Sequence, residues 1–247
     1  MPLNIKGGLV KEKIKAKDFA FHKIKKHLRG KSEKVLGVGQ IQHLGRMEEA
    51  KNNGIFVPPI FQGSLNACVC CSVCEAMQYL HFKNTGEKIE LDWEELFNRV
   101  PKYEGGTKPS EVLEVARKEG VKEVGTEKIH KLDAWSRIIN PTPHKILDAT
   151  LLGAIVIIGV DTNKAQLTAG AYAHQVCHLD FTILADQYQI INHWQQDEQQ
   201  FNDIPIDVPL INAIAIHDKP DVPKEQVRIG SISLFANYFK RILSIFL

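Results

Sequence analysis

Gln62-Gly63-Ser64-Leu65-Asn66-Ala67-Cys68-Val69-Cys70-Cys71-Ser72-Val73-Cys74 is the stretch on which the fold turns. Upstream, Val57-Pro58-Pro59 forces an extended approach, because residues before proline avoid the α region. Gln62 to Ala67 then reads as a turn. Cys68 opens a helix, with Asn66 just upstream as a cap or left-handed residue. Val69, Val73, Ala76, Met77 and Leu80 recur at helical spacing, so this helix has a buried face. Gly86 closes it.

Four of the five cysteines, Cys68, Cys70, Cys71 and Cys74, fall within seven residues. An odd total cannot all pair, and the cluster is too crowded for a disulfide framework. Such a cluster suits a reactive thiol or a metal. Cys68, Cys71 and Cys74, with Cys177 and His178, are the candidate metal set. Iron–sulfur clusters usually take such a run from a loop, whereas this one sits in an apolar helix. Cys68 is the thiol at the helix N-terminus, where the macrodipole lowers a cysteine pKa.

Working outward, Asp92 to Arg99 reads as a second helix and Tyr103 to Gly106 as an open loop. Pro109-Ser110-Glu111 starts a third helix, Glu111 to Lys118, closed by Gly120. The second half changes character. Leu151 to Val160 is a buried strand. Val176 to Leu184 and Tyr188 to Trp194 are two strands about a turn at Ala185-Asp186-Gln187, and Val208 to His217 is another. Helices first and strands later imply an α+β chain in two layers or lobes.

The 247 residues weigh 27.8 kDa and are 44% hydrophobic and 24% charged, which is enough for a real core. The longest apolar run is too short to span a bilayer, and Met1-Pro2 leads into no apolar signal core. These features exclude a membrane span and a disulfide mini-protein, and they predict a cytoplasmic setting. Charge is uneven. Residues 1–35 carry a net +8 and the remainder a net −6. The expected organisation is a basic arm or short pro-segment over 1–54, a folded domain over 55–220, and a linker with an amphipathic helix over 221–247. A short helix around Asp18 to Leu28 falls in the arm. In the tail, Leu234, Phe235, Tyr238, Phe239, Ile242, Leu243 and Phe246 share one helical face opposite Lys240 and Arg241. The arm is expected to meet an acidic partner or the acidic body itself, and no specific nucleic acid. The tail is expected to dock on the body or a neighbouring subunit, or on a membrane surface.

Gln62 to Cys68 resembles the active-site segment of papain-like cysteine peptidases. The resemblance continues in order through Glu104-Gly105-Gly106, Ala173-His174-Gln175-Val176 and Asn192-His193-Trp194. It covers Pro58 to Asp218, about two thirds of the chain. It implies a two-lobed α+β fold, with a helical lobe, an antiparallel β lobe and a cleft between them. It also implies an endopeptidase working on peptide or protein substrates through an acyl-enzyme, without metal or cofactor. Cys68 is the implied nucleophile, His174 its partner, and Asn192 the group that orients the ring. Gln62 and the Cys68 backbone N–H are the implied oxyanion donors. Gly105 and Gly106 would bind the substrate backbone, with Trp194 shielding Asn192 and lining the substrate site. His178 is the alternative base, fourteen residues before Asn192 against eighteen for His174. His193 should point away from Asn192.

Val69, His193, Asp180 and Glu104 depart from the family pattern, and no Gly follows Trp194. These differences imply a divergent intracellular, bacterial or viral branch, with a virus or phage association among the settings. Two alternatives stand beside the peptidase: a catalytically inactive binding scaffold of the same fold, and a metal protein built on the cysteine run.

Overall fold

The computed structural model describes residues 45–56, 58–151, 153–167, 173–182, 187–194 and 201–217. The basic arm, the helix at Asp18 to Leu28, the turn at Ala185 and the amphipathic tail lie outside these residues or run out of them. Packing divides the chain after His217. The first unit holds five helices among its described residues: α1 Arg46–Asn52, α2 Cys68–Thr85, α3 Trp93–Arg99, α4 Pro109–Lys118 and α5 Pro143–Leu151. Its strands are β1 Val121–Lys122, β2 Ile129–His130, β3 Ala134–Arg137, β4 Ile155–Asp161, β5 Ala173–Thr182, β6 Gln187–Ile191, β7 Phe201–Pro205 and β8 Leu210–His217. β1 and β2 form a small hairpin ladder. The others make one antiparallel sheet in the order β3-β8-β4-β5-β6-β7.

Helix α2 is the centre. The sequence predicts one buried face, but every residue from Cys68 to Leu80 is buried. A helix buried on every side, with only Ser72, Glu75 and Gln78 polar along that stretch, lies inside a core rather than on its surface. Its first residue is Cys68, after an Ala67 cap that makes no side-chain bond. The cap role expected of Asn66 is therefore not taken up, and its Oδ1 is buried without a hydrogen-bond partner among the described residues. Gly86 ends the helix in the left-handed region, φ 75°, with its N–H donating to the Phe82 carbonyl at 2.8 Å. Asp92 caps α3 by accepting from the Glu95 N–H at 2.9 Å.

The central strands are apolar on both faces, which places them between two cores. Ile155 and Ile157 of β4, Cys177 and Leu179 of β5, and Ile214 and Ile216 of β8 join the helical core around α2. Their alternating neighbours Val156, Ile158, Val160, Val176, Ala213 and Ala215 form a second core with Ile146 and Ala149 of α5. Period-two alternation therefore sends Cys177 and Leu179 of β5 to the first core and Val176 to the second.

Three of the boundaries that differ from the sequence reading bear on the core and the site. The apolar run at Leu151 is not one strand: its first residue ends α5, Gly153 turns at φ 91°, and β4 begins only at Ile155. Strand β5 begins at Ala173, three residues earlier than expected, which brings His174 into the sheet. The arm was expected to reach Gly54, yet α1 starts at Arg46 and buries Met47 and Ala50 in the helical core.

Strand β8 ends on a pH-sensitive contact. His217 Nε2 lies 3.0 Å from the buried Ser136 Oγ, and burial lowers the ring pKa to about 4. A depressed histidine pKa contributes stability above the ordinary value of about 6.5 and loses it as pH falls toward the folded value. The shift corresponds to at most ~3 kcal/mol, less whatever water the half-buried ring retains. Urea titrations from pH 7.5 to 4 are expected to show this loss, and His217→Gln is expected to flatten it. An equal slope in both proteins would remove the assignment.

Candidate active site

The N-terminus of α2, the start of β5 and the turn after β6 converge. The first contact is between backbone and thiol: the Gln175 N–H donates to Cys68 Sγ at 3.4 Å. This sets the helix start against the strand residue that follows His174. His174 Nε2 lies 3.2 Å from Asn192 Oδ1, which also accepts from the Trp194 N–H at 3.3 Å. The other ring nitrogen, His174 Nδ1, is buried with no hydrogen-bond partner among the described residues. The Trp194 indole stacks on the His174 ring at 3.8 Å and 22°. Cys68 and His174 are fully buried, and Asn192 is 2% exposed.

His178 stands elsewhere. It pairs across the sheet with Ile190 and Val156, and its ring packs edge-on against Tyr188, a residue of the second core. Of the two candidate histidines, only His174 is brought to Asn192.

Gln62 is brought to the same place but turned inward. Its N–H donates to the His193 carbonyl at 3.0 Å, tying its turn to the Asn192–Trp194 segment. Its side-chain Nε2 donates to the Leu65 carbonyl at 2.7 Å, and its Oε1 is buried without a hydrogen-bond partner among the described residues. The Tyr103–Gly106 loop closes on itself. The Tyr103 N–H donates to the Gly106 carbonyl at 2.8 Å, and the Gly106 N–H to the Tyr103 carbonyl at 3.0 Å. Gly105 and Gly106 sit at φ 89° and 128°, a bend that side-chain-bearing residues rarely adopt. The backbone groups of Gly106 are thus engaged within the loop.

Burial dominates the electrostatics. It drives the His174 pKa well below the ordinary range; His193 lowers it further, and the Asn192 bond opposes the change. Cys71, Cys74 and Cys177 are raised by burial and stay protonated thiols. Among the described residues, no group of three or more His, Cys, Asp or Glu could hold a metal ion. No helix among them is long and apolar enough to cross a membrane.

No family model and no curated protein matches the sequence. Solved structures do. Xylellain, a cysteine protease from Xylella fastidiosa, superposes with a TM-score of 0.58 at 12% identity, over 87% of this chain and 97% of its own. The fold is papain-like. Bromelain from Ananas comosus, solved with the inhibitor E64, gives 0.58 at 13% identity, over 72% of this chain and 99% of its own. The Carica candamarcensis cysteine protease CMS1MS2, solved with E-64, gives 0.56 at 17%, over 68% and 97%. Each comparison takes in nearly the whole of the other chain, so this papain-like fold is not a likeness confined to one motif.

Two polar residues of the site were not read as functional from the sequence. Glu75 lies seven residues after Cys68, two helical turns along α2, and is fully buried. His193, expected to point away from Asn192, turns its buried ring to Glu75 at 3.4 Å. A carboxylate within the buried stretch of α2, in phase with Cys68, was the available signal.

Proposed function

We propose that this chain is a cysteine endopeptidase that hydrolyses peptide bonds through Cys68, His174 and Asn192. The observation that carries the reading is the His174 ring, held by Asn192 through Nε2 while Nδ1 has no hydrogen-bond partner among the described residues. A ring tethered at one nitrogen has the other available to exchange a proton with a nucleophile. The likeness of fold to two proteases solved with E-64 supports the same reading.

In the proposed cycle the Cys68 proton moves to His174 Nδ1. Burial disfavours an isolated charge on either group, so thiolate and imidazolium form together as a pair. The thiolate attacks the substrate carbonyl, and the imidazolium then protonates the leaving amine. Water hydrolyses the acyl-enzyme by the reverse proton path. The Cys68 N–H at the helix start is one donor for the oxyanion, and Gln62 is the other. Gly105 and Gly106 would guide the substrate backbone, and Trp194 shields the His174–Asn192 bond while bordering the substrate. We place the activity in the cytoplasm and expect no metal or cofactor.

An epoxysuccinyl inhibitor of the E-64 type tests this directly. One adduct per chain is expected, mapped by peptide fragmentation to Cys68. Labelling spread over Cys70, Cys71 and Cys74, or none, would sink the reading in favour of an inactive scaffold.

A further inference from the structure

His193 links three parts of the site. Its carbonyl accepts from the Gln62 N–H at 3.0 Å. Its ring lies 4.9 Å from the His174 ring at 57°. Its Nδ1 lies 3.4 Å from Glu75 Oε1, and both side chains are essentially inaccessible to solvent, at 0% and 1%. Neither Glu75 oxygen and neither His193 ring nitrogen has a hydrogen bond among the described residues, so the 3.4 Å approach is a polar contact between two otherwise unsatisfied side chains. Two buried polar groups at this depth are costly unless they serve each other.

We propose that Glu75 and His193 form a positioning pair that clamps the Asn192–Trp194 turn onto helix α2 and so holds the His174 ring in register with Cys68. The inference rests on the Cys68–His174 reading above and adds two residues to it. The geometry explains why His174 needs such support. Its ring is tethered by a single 3.2 Å bond to Asn192. Rotation would break that bond, and Trp194 and His193 both pack against the ring to prevent it. Trp194 and His193 share one short turn, and that turn is anchored to α2 through Glu75. A drift of the turn away from α2 would move His174 relative to Cys68, which rides on the same helix.

The pair also keeps the surroundings of His174 free of positive charge. Burial raises the Glu75 carboxyl well above its usual range and lowers His193 to about 3. One proton therefore stays with the pair, on the carboxyl, and His193 remains neutral. The other titratable groups around it are the Cys71 and Cys74 thiols on α2, the Cys177 thiol on β5, and His174 itself. Burial keeps all three thiols protonated, so none supplies a competing charge.

The test is the pH dependence of Cys68 alkylation by iodoacetamide, with Cys68 followed by peptide mapping. In the unsubstituted protein, reactivity well below the ordinary thiol value of about 8.5 is expected. Reactivity that appears only near that value would overturn the Cys68–His174 reading itself. With the low-pH reactivity in place, Glu75→Leu and His193→Phe are expected to raise the midpoint by about one pH unit or more, and Glu75→Gln to move it by less than about 0.3. An unchanged midpoint in the Leu and Phe variants would overturn the positioning pair alone, since a merely structural role lowers the melting temperature without moving this titration. If those variants do not fold, nitrogen-15 spectra of histidine in the unsubstituted protein decide. A His193 ring that does not titrate between pH 5 and 8 supports the pair; one that titrates near the ordinary 6.5 overturns it.

Discussion

Cys68→Ser and His174→Ala are each expected to reduce peptide hydrolysis by at least about 10³-fold, because in nucleophile–base systems either removal disables the whole unit. His178→Ala is expected to retain most of the activity. The contrast follows from placement. His174 meets Asn192 and Trp194, whereas His178 packs on Tyr188 in the second core. The loss should appear in kcat, with substrate binding little changed. The double variant should be scarcely worse than either single one, because both remove the same proton-coupled attack. Steady-state kinetics on a fluorogenic peptide, alongside melting temperatures, check this. Equal losses in the two histidine variants would point to a folding defect instead.

Gln62→Ala is the second large effect, expected at about 10²–10³ in kcat, as for other oxyanion donors. The structure gives this prediction a particular form. The Gln62 amide donates one of its two N–H groups to the Leu65 carbonyl at 2.7 Å, and in the proposed cycle it turns from that carbonyl toward the oxyanion. The exchange trades a neutral acceptor for a charged one, which makes the stronger hydrogen bond. Ground-state binding should therefore change little, and KM with it. Gln62→Glu should lose at least as much, since a carboxylate repels the developing charge. If Gln62→Ala leaves kcat intact and lowers only stability, Gln62 is a turn residue, and the Cys68 N–H needs a different companion.

The parts of the site that could be read from the sequence were those carried by short, local signals. Gln62 and Cys68 share one turn and one helix start, and Asn192 and Trp194 lie two residues apart. The interior helix α2 was legible because Gly86 and a long apolar run bound it. Other elements gave weaker signals. Strand β7, Phe-Asn-Asp-Ile-Pro, is a polar edge strand that buries only Ile204. Helix α1, Arg-Met-Glu-Glu-Ala-Lys-Asn, is mostly polar and buries two residues. Helix α5 was hidden because its apolar end merges in sequence with β4, and Gly153 is the one turn-forming residue among the three between them. The Glu75–His193 contact joins residues 118 positions apart in the chain. No local pattern announces such a meeting, because the sheet topology creates it.

Helix α1 has a consequence for processing. Arg46 reaches across to donate to the Thr150 and Ala154 carbonyls at 2.7 and 2.8 Å, binding the exit of α5 to the entry of β4. Glu49, one turn on, accepts from the Tyr79 hydroxyl of α2 at 2.5 Å and pairs with Lys83 at 3.0 Å. Seven residues thus fasten the first strand of the second core and the central helix of the first. If maturation removes a leader, the scissile bond must lie before Arg46. A cut on the far side of α1 would take away the lock together with the leader.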